Sequence, residues 1–389
     1  MPPNRRPQRS LRLGHPVTGH GATEVVIVGA GIVGAACAAA CAAAGWSTVV
    51  VAEGLCQGAT AAGMGHLVVM DDSPAQFALT RSGVDLWHDL APALPANAEF
   101  DPCGTLWIAA DDEQFAIAER RCQHYRSQGV RARLIGPMEL MDLEPQLASD
   151  LAGALLVPGD AVLYQPAATR FLLSCAERDG GRLERGEVIA VEPDGVVLRD
   201  GRRLDARRVV LAGGVRSSQL LAGLGVRPRK GHLIITDRYP GFVRHQLVEL
   251  GYLTSAHGSA DESVAFNVQP RRNGQLLIGS SRQFGTSYPA VEPRLLDQMV
   301  RVAERYLPEI TNLNALRCWT GFRPATPDHL PLIGRAPNGV WCATGHEGLG
   351  ITTAPATARL LVELMRGETP HIAPEAFMAD RFIHEPVHA

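Results

Sequence analysis

The sequence lacks the features of several classes of protein. No apolar run reaches the ~20 residues that a membrane-spanning helix requires, so we expect a soluble protein. Its 37 basic and 40 acidic side chains are mixed along the chain, and the net charge of −3 offers no basic surface to nucleic acid. Residues 1–22 hold four arginines but no apolar segment of the kind found in a secretory signal. We expect a disordered leader there, with an interaction arm as the alternative, and a cytoplasmic location.

The cysteines show no spacing that supports chemistry. None of the eight forms a C-x-x-C pair or lies near histidine at zinc spacing. Cys37 and Cys41 share one helix face, and in a chain without an export signal they are expected to be small buried hydrophobic residues. The sequence therefore predicts no metal site and no disulfide.

The segment at residues 25–54, by contrast, carries a recognisable motif. Val25 to Val28 form a short apolar run typical of a buried parallel strand, and Gly29, Gly31 and Gly34 follow in G-x-G-x-x-G spacing. In this motif the first glycine permits a tight turn, the second lets a pyrophosphate approach the backbone, and the third lets the next helix pack closely. The alanine-rich helix at Ala35 to Ala44 would direct its N-terminal amides at the phosphates.

An acidic residue completes this motif. Ser47 to Ala52 reads as the second parallel strand, and Glu53 stands at its end, where a carboxylate binds a ribose hydroxyl and repels a 2′-phosphate. A chance glycine pattern is the alternative in a chain with 40 glycines. The motif predicts a dinucleotide site and leaves NAD and FAD open.

The rest of the chain reads as a mixture of helices and strands. Helical spacing occurs at residues 82–90 and 113–128, with a strand at 104–110 between them. Short strands follow over residues 180–214, with hairpin turns at Asp194-Gly195 and Asp200-Gly201. The buried strand Val209 to Ala212 is expected to return to the first sheet.

The C-terminal half predicts a second sheet and a further helix. Residues 231–288 alternate between apolar and polar as in an antiparallel sheet, and residues 318–334 are too proline-rich for a helix. Strand, glycine loop and helix recur from residue 339 onward. At 389 residues the chain exceeds the ~250 to 300 at which single cores stop growing, so we expect two domains.

Four segments together resemble the D-amino-acid-oxidase type of FAD-dependent oxidoreductase. They are the glycine motif with Glu53, "VVLAGG" at 209–214, "GFRPATPD" at 321–328 and "GHEGLGITTAPAT" at 345–357. Within this family, "ATAAGMGHLVVMDD" at 59–72 looks closest to bacterial hydroxyproline dehydrogenase and to the FAD-carrying subunits of opine oxidase and hydrogen cyanide synthase. The resemblance covers nearly the whole chain from Glu24.

The resemblance implies an α/β fold, with a Rossmann-like FAD-binding domain and a discontinuous, antiparallel-sheet substrate domain of α+β type. We expect the FAD-binding domain at residues 23–90, 155–230 and 318–389, and the substrate domain at 91–154 and 231–317. The cofactor-binding residues implied are Gly29, Ala30, Gly31, Ile32, Val33, Gly34, Glu53, Thr60, Gly63, Met64, Gly65, Val188, Gly213, Gly345, His346, Gly348, Leu349, Gly350 and Ile351.

Three further residues are candidates for contact with substrate. Arg323 matches the family's carboxylate-binding arginine, and its planar fork suits a carboxylate; the alternative is a surface arginine paired with Asp328. Tyr252 would add a hydroxyl to the carboxylate or close the pocket, or it is a core tyrosine. His66 departs from the small or polar residue expected at its position, and its role is open.

The function implied is oxidation of the Cα–N bond of a small D-amino acid or cyclic secondary amino acid to an imine. Hydroxy-D-proline and D-proline are the favoured substrates, and the electron acceptor would be oxygen, a quinone or a partner subunit. The alternatives are the FAD subunit of an opine oxidase, another D-amino-acid dehydrogenase or a glycine oxidase. Two further alternatives belong to other functional classes: a non-catalytic electron-transfer subunit and an NAD dehydrogenase. A homo- or hetero-oligomer is possible.

Overall fold

The computed structural model describes residues 23–251 and 262–382, so the candidate Tyr252 lies outside the described residues. The strands are β1 (Val25–Val28), β2 (Thr48–Ala52), β3 (His66–Leu67), β4 (Thr105–Ala109), β5 (Arg133–Ile135), β6 (Gly153–Val157), β7 (Ala161–Val162), β8 (Arg182–Arg185), β9 (Val188–Glu192), β10 (Gly195–Leu198), β11 (Arg203–Asp205), β12 (Arg208–Leu211), β13 (Arg227–Arg238), β14 (Gln246–Glu249), β15 (Glu262–Pro270), β16 (Gln275–Gln283), β17 (Ala315–Ala325), β18 (Leu332–Arg335) and β19 (Trp341–Thr344).

The α-helices are α1 (Ile32–Ala43), α2 (Gly58–Ala62), α3 (Pro74–Leu90), α4 (Asp112–Ser127), α5 (Pro137–Leu143), α6 (Gln165–Arg178), α7 (Ser217–Leu220), α8 (Pro293–Tyr306) and α9 (Gly350–Arg366). Short 3-10 helices occur at Ala91–Ala93, Ala96–Ala98, Gly214–Arg216, Pro308–Asn312 and Glu375–Phe377.

The smaller of the two main sheets is built around β1. Its strand order is β18-β19-β12-β1-β2-β8, and β1 pairs in parallel with β2 on one side and β12 on the other. The side chains of β1 are all buried because helices cover one face of this sheet and strands β9 and β10 pack on the other. The prediction that the strand near Val209 returns to this sheet is confirmed.

Helix α1 packs tightly because its residues are small. Cys37 and Cys41 are fully buried within the core that α1 shares with α6 and α9. Burial raises the pKa of the Cys41 thiol to about 12. Both cysteines are free, and their thiols stay protonated at neutral pH.

A three-stranded hairpin sheet packs on the opposite face of the smaller sheet, against Val26 and Val28. Strands β9, β10 and β11 pair antiparallel in sequence order, with Gly195 opposite Glu192 in the first hairpin and Val197 opposite Arg203 in the second. Both turns predicted from Asp-Gly pairs are therefore confirmed.

The larger sheet has the order β17-β13-β16-β15-β14-β4-β6-β5. Its pairs are antiparallel except for β14 with β4, as the alternation at residues 231–288 predicts for the described strands. Helix α8 packs on one face of this sheet. The domain boundaries expected at 154/155, 230/231 and 317/318 each fall inside one of its strands, so the division into domains remains a proposal.

Helix α9 contains a proline that interrupts its hydrogen bonding. Pro355 has no N–H to donate to the carbonyl of Ile351, and the indole Nε1–H of the buried Trp87 donates to that oxygen instead, at 2.8 Å. Gly83, one turn earlier on α3, lets the helices touch, since a methyl group there would lie 2.2 Å from the Thr352 carbonyl oxygen. The tryptophan thereby completes the first turn of α9.

None of the helices in the described part of the chain is both long and apolar enough to cross a lipid bilayer.

Candidate functional site

A deep cleft opens at the carboxyl ends of the parallel strands of the smaller sheet. Its volume is about 440 Å³, within the range of about 300–1,000 Å³ typical of small-molecule sites. Val28, Ala52, Ala212 and Thr344, which end or follow four of these strands, line it. Ligands of open α/β sheets bind at this edge, so the fold itself predicts the site.

The three glycines of the motif have separate steric roles. A methyl group at Gly34 would lie 2.0 Å from the carbonyl oxygen of Gly29, so this glycine permits contact between α1 and the turn. Gly29 has φ +113° and abuts the Ala212 carbonyl oxygen. Gly31 caps α1 and faces the cleft, where the Thr60 hydroxyl is its nearest neighbour. A side chain at Gly31 would therefore occupy the floor of the cleft.

The cleft brings together most of the residues singled out from the sequence. Gly65 and Leu349 differ: within the described residues they do not line it. Gly65 has φ +101° and packs on Leu163, whose N–H donates to its carbonyl oxygen, and Leu349 lines a neighbouring cavity. The candidates that line the cleft are Gly29, Ala30, Gly31, Ile32, Val33, Gly34, Glu53, Thr60, Gly63, Met64, His66, Val188, Gly213, Arg323, Gly345, His346, Gly348, Gly350 and Ile351.

Glu53 stands at the end of β2 as expected and has a partner that the sequence did not reveal. Its Oε1 accepts a hydrogen bond from Nη1 of Arg216, and Nη2 of Arg216 also donates to Glu187 Oε1 at 2.9 Å. Both Glu53 and Arg216 line the cleft and are nearly half exposed. The carboxylate expected to bind a ribose is thus held within a charged cluster at the cleft's outer end.

The amino end of α9 points at the same cleft. Gly350 and Ile351 line it, so the first amides and the dipole of this 17-residue helix favour negative charge there. Burial lowers the pKa of the neighbouring His346 to about 3, and its Nε2 lies 3.0 Å from the Thr357 hydroxyl. The imidazole is therefore neutral at pH 7, and the positive potential comes from the helix.

A smaller cavity of about 50 Å³ adjoins the cleft, and Arg323 lines both. Arg323 lies on β17 beside β13, where a methyl group at Gly231 would come within 2.2 Å of Nη1. Its Nη1 donates to the Ser281 carbonyl oxygen at 3.1 Å. Asp328, its alternative partner, instead accepts hydrogen bonds from Arg381 at 2.7 and 3.0 Å. The guanidinium therefore stands where the two spaces meet.

A buried ionic cluster supports this junction. Glu347 bonds the guanidinium of Arg229 through Oε1 and lies 2.8 Å from His329 Nδ1 through Oε2. Burial alone would raise the pKa of Glu347, but the His329 hydrogen bond and the charges of Arg229 and Arg282 outweigh it and lower the pKa to about 2. Glu347 is therefore ionised and committed to its partners, and it is poorly suited to act as a base.

His66 lies at the same junction. Its Nε2 is 3.1 Å from the Gly348 carbonyl oxygen, a geometry in which Nε2–H donates. Its Nδ1 is buried and has no hydrogen-bond partner among the described residues. Burial, with the charges of Arg323 and Arg282, lowers the pKa of His66 to about 4, so Nδ1 remains an unprotonated acceptor at pH 7.

Seven polar residues of the cavity wall were missed from the sequence. They are Asp72, Gln76 of α3, Trp107 of β4, Gln246 of β14, Asn267 of β15, Arg282 of β16 and His329. Trp107, Gln246 and Asn267 are far apart in the chain, and the pairing of β14 with β4 and β15 brings them together. The alternation of polar and apolar residues within each strand was the one available signal.

The site suits a dinucleotide better than a metal ion. Within residues 23–251 and 262–382, no group of three or more histidine, cysteine or acidic side chains could hold a metal. The bare backbone at Gly31 and the amino end of α1 fit a pyrophosphate. The amino end of α9 fits a ring that gains negative charge, and Glu53 fits a ribose.

Comparison with known proteins agrees with this geometry. Residues 24–364 match the family model described as "DAO: FAD dependent oxidoreductase". A glycine oxidase from Pseudomonas aeruginosa is 28% identical over 91% of this chain and 98% of its own length. The hydrogen cyanide synthase subunit HcnC of the same species is 27% identical over 93% of this chain and 97% of its own. The crystal structure of glycine oxidase from Geobacillus kaustophilus superimposes with a TM-score of 0.82, at 25% identity, over 93% of this chain and 99% of that one. The family description names FAD as the cofactor and excludes the NAD alternative.

Proposed function

Because the chain belongs to the DAO family of FAD-dependent oxidoreductases, which oxidise amino-acid C–N bonds, we propose that it acts on a small D-amino acid or a cyclic secondary amino acid. Hydroxy-D-proline and D-proline are the favoured substrates, and the product is the imine. The small cavity beside Arg323 supports a small side chain or a five-membered ring.

The position of Arg323 is the observation that carries this proposal. A guanidinium binds a carboxylate through two parallel hydrogen bonds and keeps its charge at any physiological pH. Since Arg323 lines both the cleft and the cavity, a carboxylate bound to it would leave the Cα at the junction and the side chain in the cavity.

The other residues of the junction have defined roles in this proposal. Bound FAD supplies the hydride acceptor. The amino end of α9 stabilises the negative charge that develops near it. His66 Nδ1 accepts a hydrogen bond from the substrate amine, and with a pKa of about 4 it does not keep the proton at neutral pH. The amine must therefore arrive deprotonated, and the rate should rise with pH through the pKa of the free amine.

We propose the electron acceptor by class, less specifically than the substrate. Oxygen, a quinone and a partner subunit are all compatible with the cleft, and one relative is by name a subunit of a larger enzyme. We propose that the chain passes its electrons to one of these three.

The test is anaerobic mixing of the purified yellow protein with D- and L-amino acids, cyclic amines and opines, followed by loss of flavin absorbance at 450 nm. We expect bleaching by small D-amino or cyclic secondary amino acids. If no amino acid bleaches the flavin while dithionite does, the substrate proposal is wrong and an electron-transfer subunit becomes the better account.

Arg323 provides the matched mutational test. Losing one partner of a buried charge pair costs about 2–5 kcal/mol, so Arg323→Ala should lower kcat/KM at least about tenfold while FAD stays bound. Arg323→Lys should recover only part of the loss, because lysine lacks the planar fork. Arg317→Ala, on the same strand but exposed over Trp319, is the control and should react as the parent does. Equal rates for an amino acid and its amide would contradict the role given to Arg323.

A further inference from the structure

The cavity beside Arg323 has a wall with an unusual number of polar atoms. Trp107, Val248 and Asn267 occupy opposing positions on β4, β14 and β15, so their side chains share one face of the larger sheet. Gln246, two residues before Val248, lies on the same face. Gln76 of α3 completes the wall. The chain thus places three amides and an indole around a space of about 50 Å³.

One polar atom of each of these side chains is buried without a partner among the described residues. Gln76 Oε1, Gln246 Oε1, Asn267 Oδ1 and Trp107 Nε1 have no hydrogen-bond partner among the described residues. Their side chains are nearly inaccessible, with relative exposures of 5%, 1%, 4% and 2%. Buried polar groups are normally paired with protein or with water in native proteins, so four atoms without a protein partner around one cavity mark a place where water or a ligand supplies the partners.

Gln246 shows which atoms the wall presents. Its Nε2 donates to the Thr105 hydroxyl at 2.9 Å, and this bond holds the amide so that Oε1 is left over. The wall then offers three acceptor oxygens and one indole N–H donor.

A substrate hydroxyl suits this set of atoms, because its O–H can donate to one of the amide oxygens while its oxygen accepts from the indole N–H. An aliphatic side chain would leave all four atoms unpaired. A carboxylate can only accept, so it would face three oxygens that also only accept, although the guanidinium of Arg282 on the same cavity would attract it. We propose that this wall is a subsite for a hydroxyl group on the side chain or ring of the amino-acid substrate.

This inference rests on the proposed function and narrows it. The enzyme should prefer a hydroxylated amino acid to its deoxy analogue by about tenfold or more, because the analogue leaves buried polar groups unpaired. Among the favoured substrates, hydroxy-D-proline should exceed D-proline, and D-serine should exceed D-alanine.

The experiment measures anaerobic flavin reduction with hydroxy-D-proline against D-proline, using both the cis- and the trans-4-hydroxy compound, and with D-serine against D-alanine. Iminodiacetate, which carries a second carboxylate, is compared with N-methylglycine in the same assay. Gln246→Met keeps the volume but removes the acceptor, so it should lower the ratio of kcat/KM for the hydroxylated member to kcat/KM for the deoxy member about tenfold. Gln283→Met is the control: Gln283 is buried on β16 and bonds Glu262 and Glu292, away from the cavity, so the ratio should not change.

Binding gives a readout that does not depend on turnover. Tetrahydrofuran-2-carboxylate and its 4-hydroxy derivative lack the amine, and calorimetry with the FAD-loaded protein should show that the hydroxylated analogue binds about tenfold more tightly. Gln246→Met should abolish that difference, while circular dichroism and the flavin spectrum confirm that the variant is folded.

The outcomes separate the two proposals. Equal reactivity of hydroxylated and deoxy substrates in the parent protein, with equal binding of the analogues, would overturn the hydroxyl subsite and leave amino-acid oxidation standing. A preference for iminodiacetate over every hydroxylated substrate would overturn it in favour of a second carboxylate on Arg282. Failure of all amino acids to reduce the flavin overturns both proposals.

Discussion

The hydrogen bond from Trp87 to the Ile351 carbonyl should contribute more to the free energy of unfolding than an ordinary buried contact does. Pro355 cannot supply the helical N–H, and the indole is the donor at 2.8 Å. Trp87→Phe therefore leaves a buried carbonyl unpaired, at a cost of about 1–3 kcal/mol, in addition to the cavity created by the smaller ring.

Trp107→Phe is the matched control for this variant. Trp107 is also buried, but its indole N–H has no partner among the described residues. Both variants lose the same volume, and only one loses a hydrogen bond. We expect Trp87→Phe to lower the free energy of unfolding by about 1–3 kcal/mol more than Trp107→Phe, measured by urea titration with circular dichroism in saturating FAD.

A double-mutant cycle then tests the cause. Pro355→Ala restores an N–H that can donate to Ile351, so Trp87→Phe should cost about 1 kcal/mol less in that background. If Trp87→Phe and Trp107→Phe are equally destabilising, and Pro355→Ala does not alter the cost of Trp87→Phe, the indole does not replace the missing helical donor.

Further predictions concern the cofactor, the cysteines and pH. Gly31→Val puts a branched side chain on the floor of the cleft and should yield colourless protein, whereas a yellow variant with normal FAD content would contradict the assigned site. Cys37→Ala should cost stability through lost packing but leave flavin reduction intact; loss of reduction with FAD still bound would be evidence against its inert role. Burial raises the pKa of Asp160 from 3.8 to about 8, although hydrogen bonds from Thr105 and Val69 oppose the shift. The folded protein thus holds a proton that the unfolded chain releases, and stability should fall as pH rises from about 4 to about 8. Asp160→Asn should flatten that decline in urea midpoints, and an unchanged slope would argue against the shift.

Local signals made much of the smaller sheet predictable. The glycine spacing and the Asp-Gly turns act over a few residues, and the structure has the strands and hairpins where those signals lie. Helix ends were less accurate. The helix expected from Ser82 begins at Pro74, after the cap Ser73, a start signal that the sequence contains.

The contents of the site were only partly predictable because they depend on contacts between distant segments. The partner of Asp328 is Arg381, far along the chain, and nothing local distinguishes it from Arg323. Likewise Arg216 reaches Glu53 only because their strands meet across β1. The polar wall of the cavity requires the register of β4, β14 and β15, which sequence spacing does not fix.

The order of strands in the smaller sheet has a consequence for synthesis of the protein. Strand β1 is made early, yet its neighbour β12 and the next strand β19 are made much later, and α9 follows last. At about 5–20 residues per second, a ribosome needs tens of seconds to supply them. During that interval the edge of β1 that will pair with β12 presents backbone N–H and C=O groups without a partner strand. Because α9 lines the cleft, FAD can bind only after α9 has left the ribosome. In a cell-free translation reaction, protein-bound FAD should therefore appear with completed chains and not with growing ones.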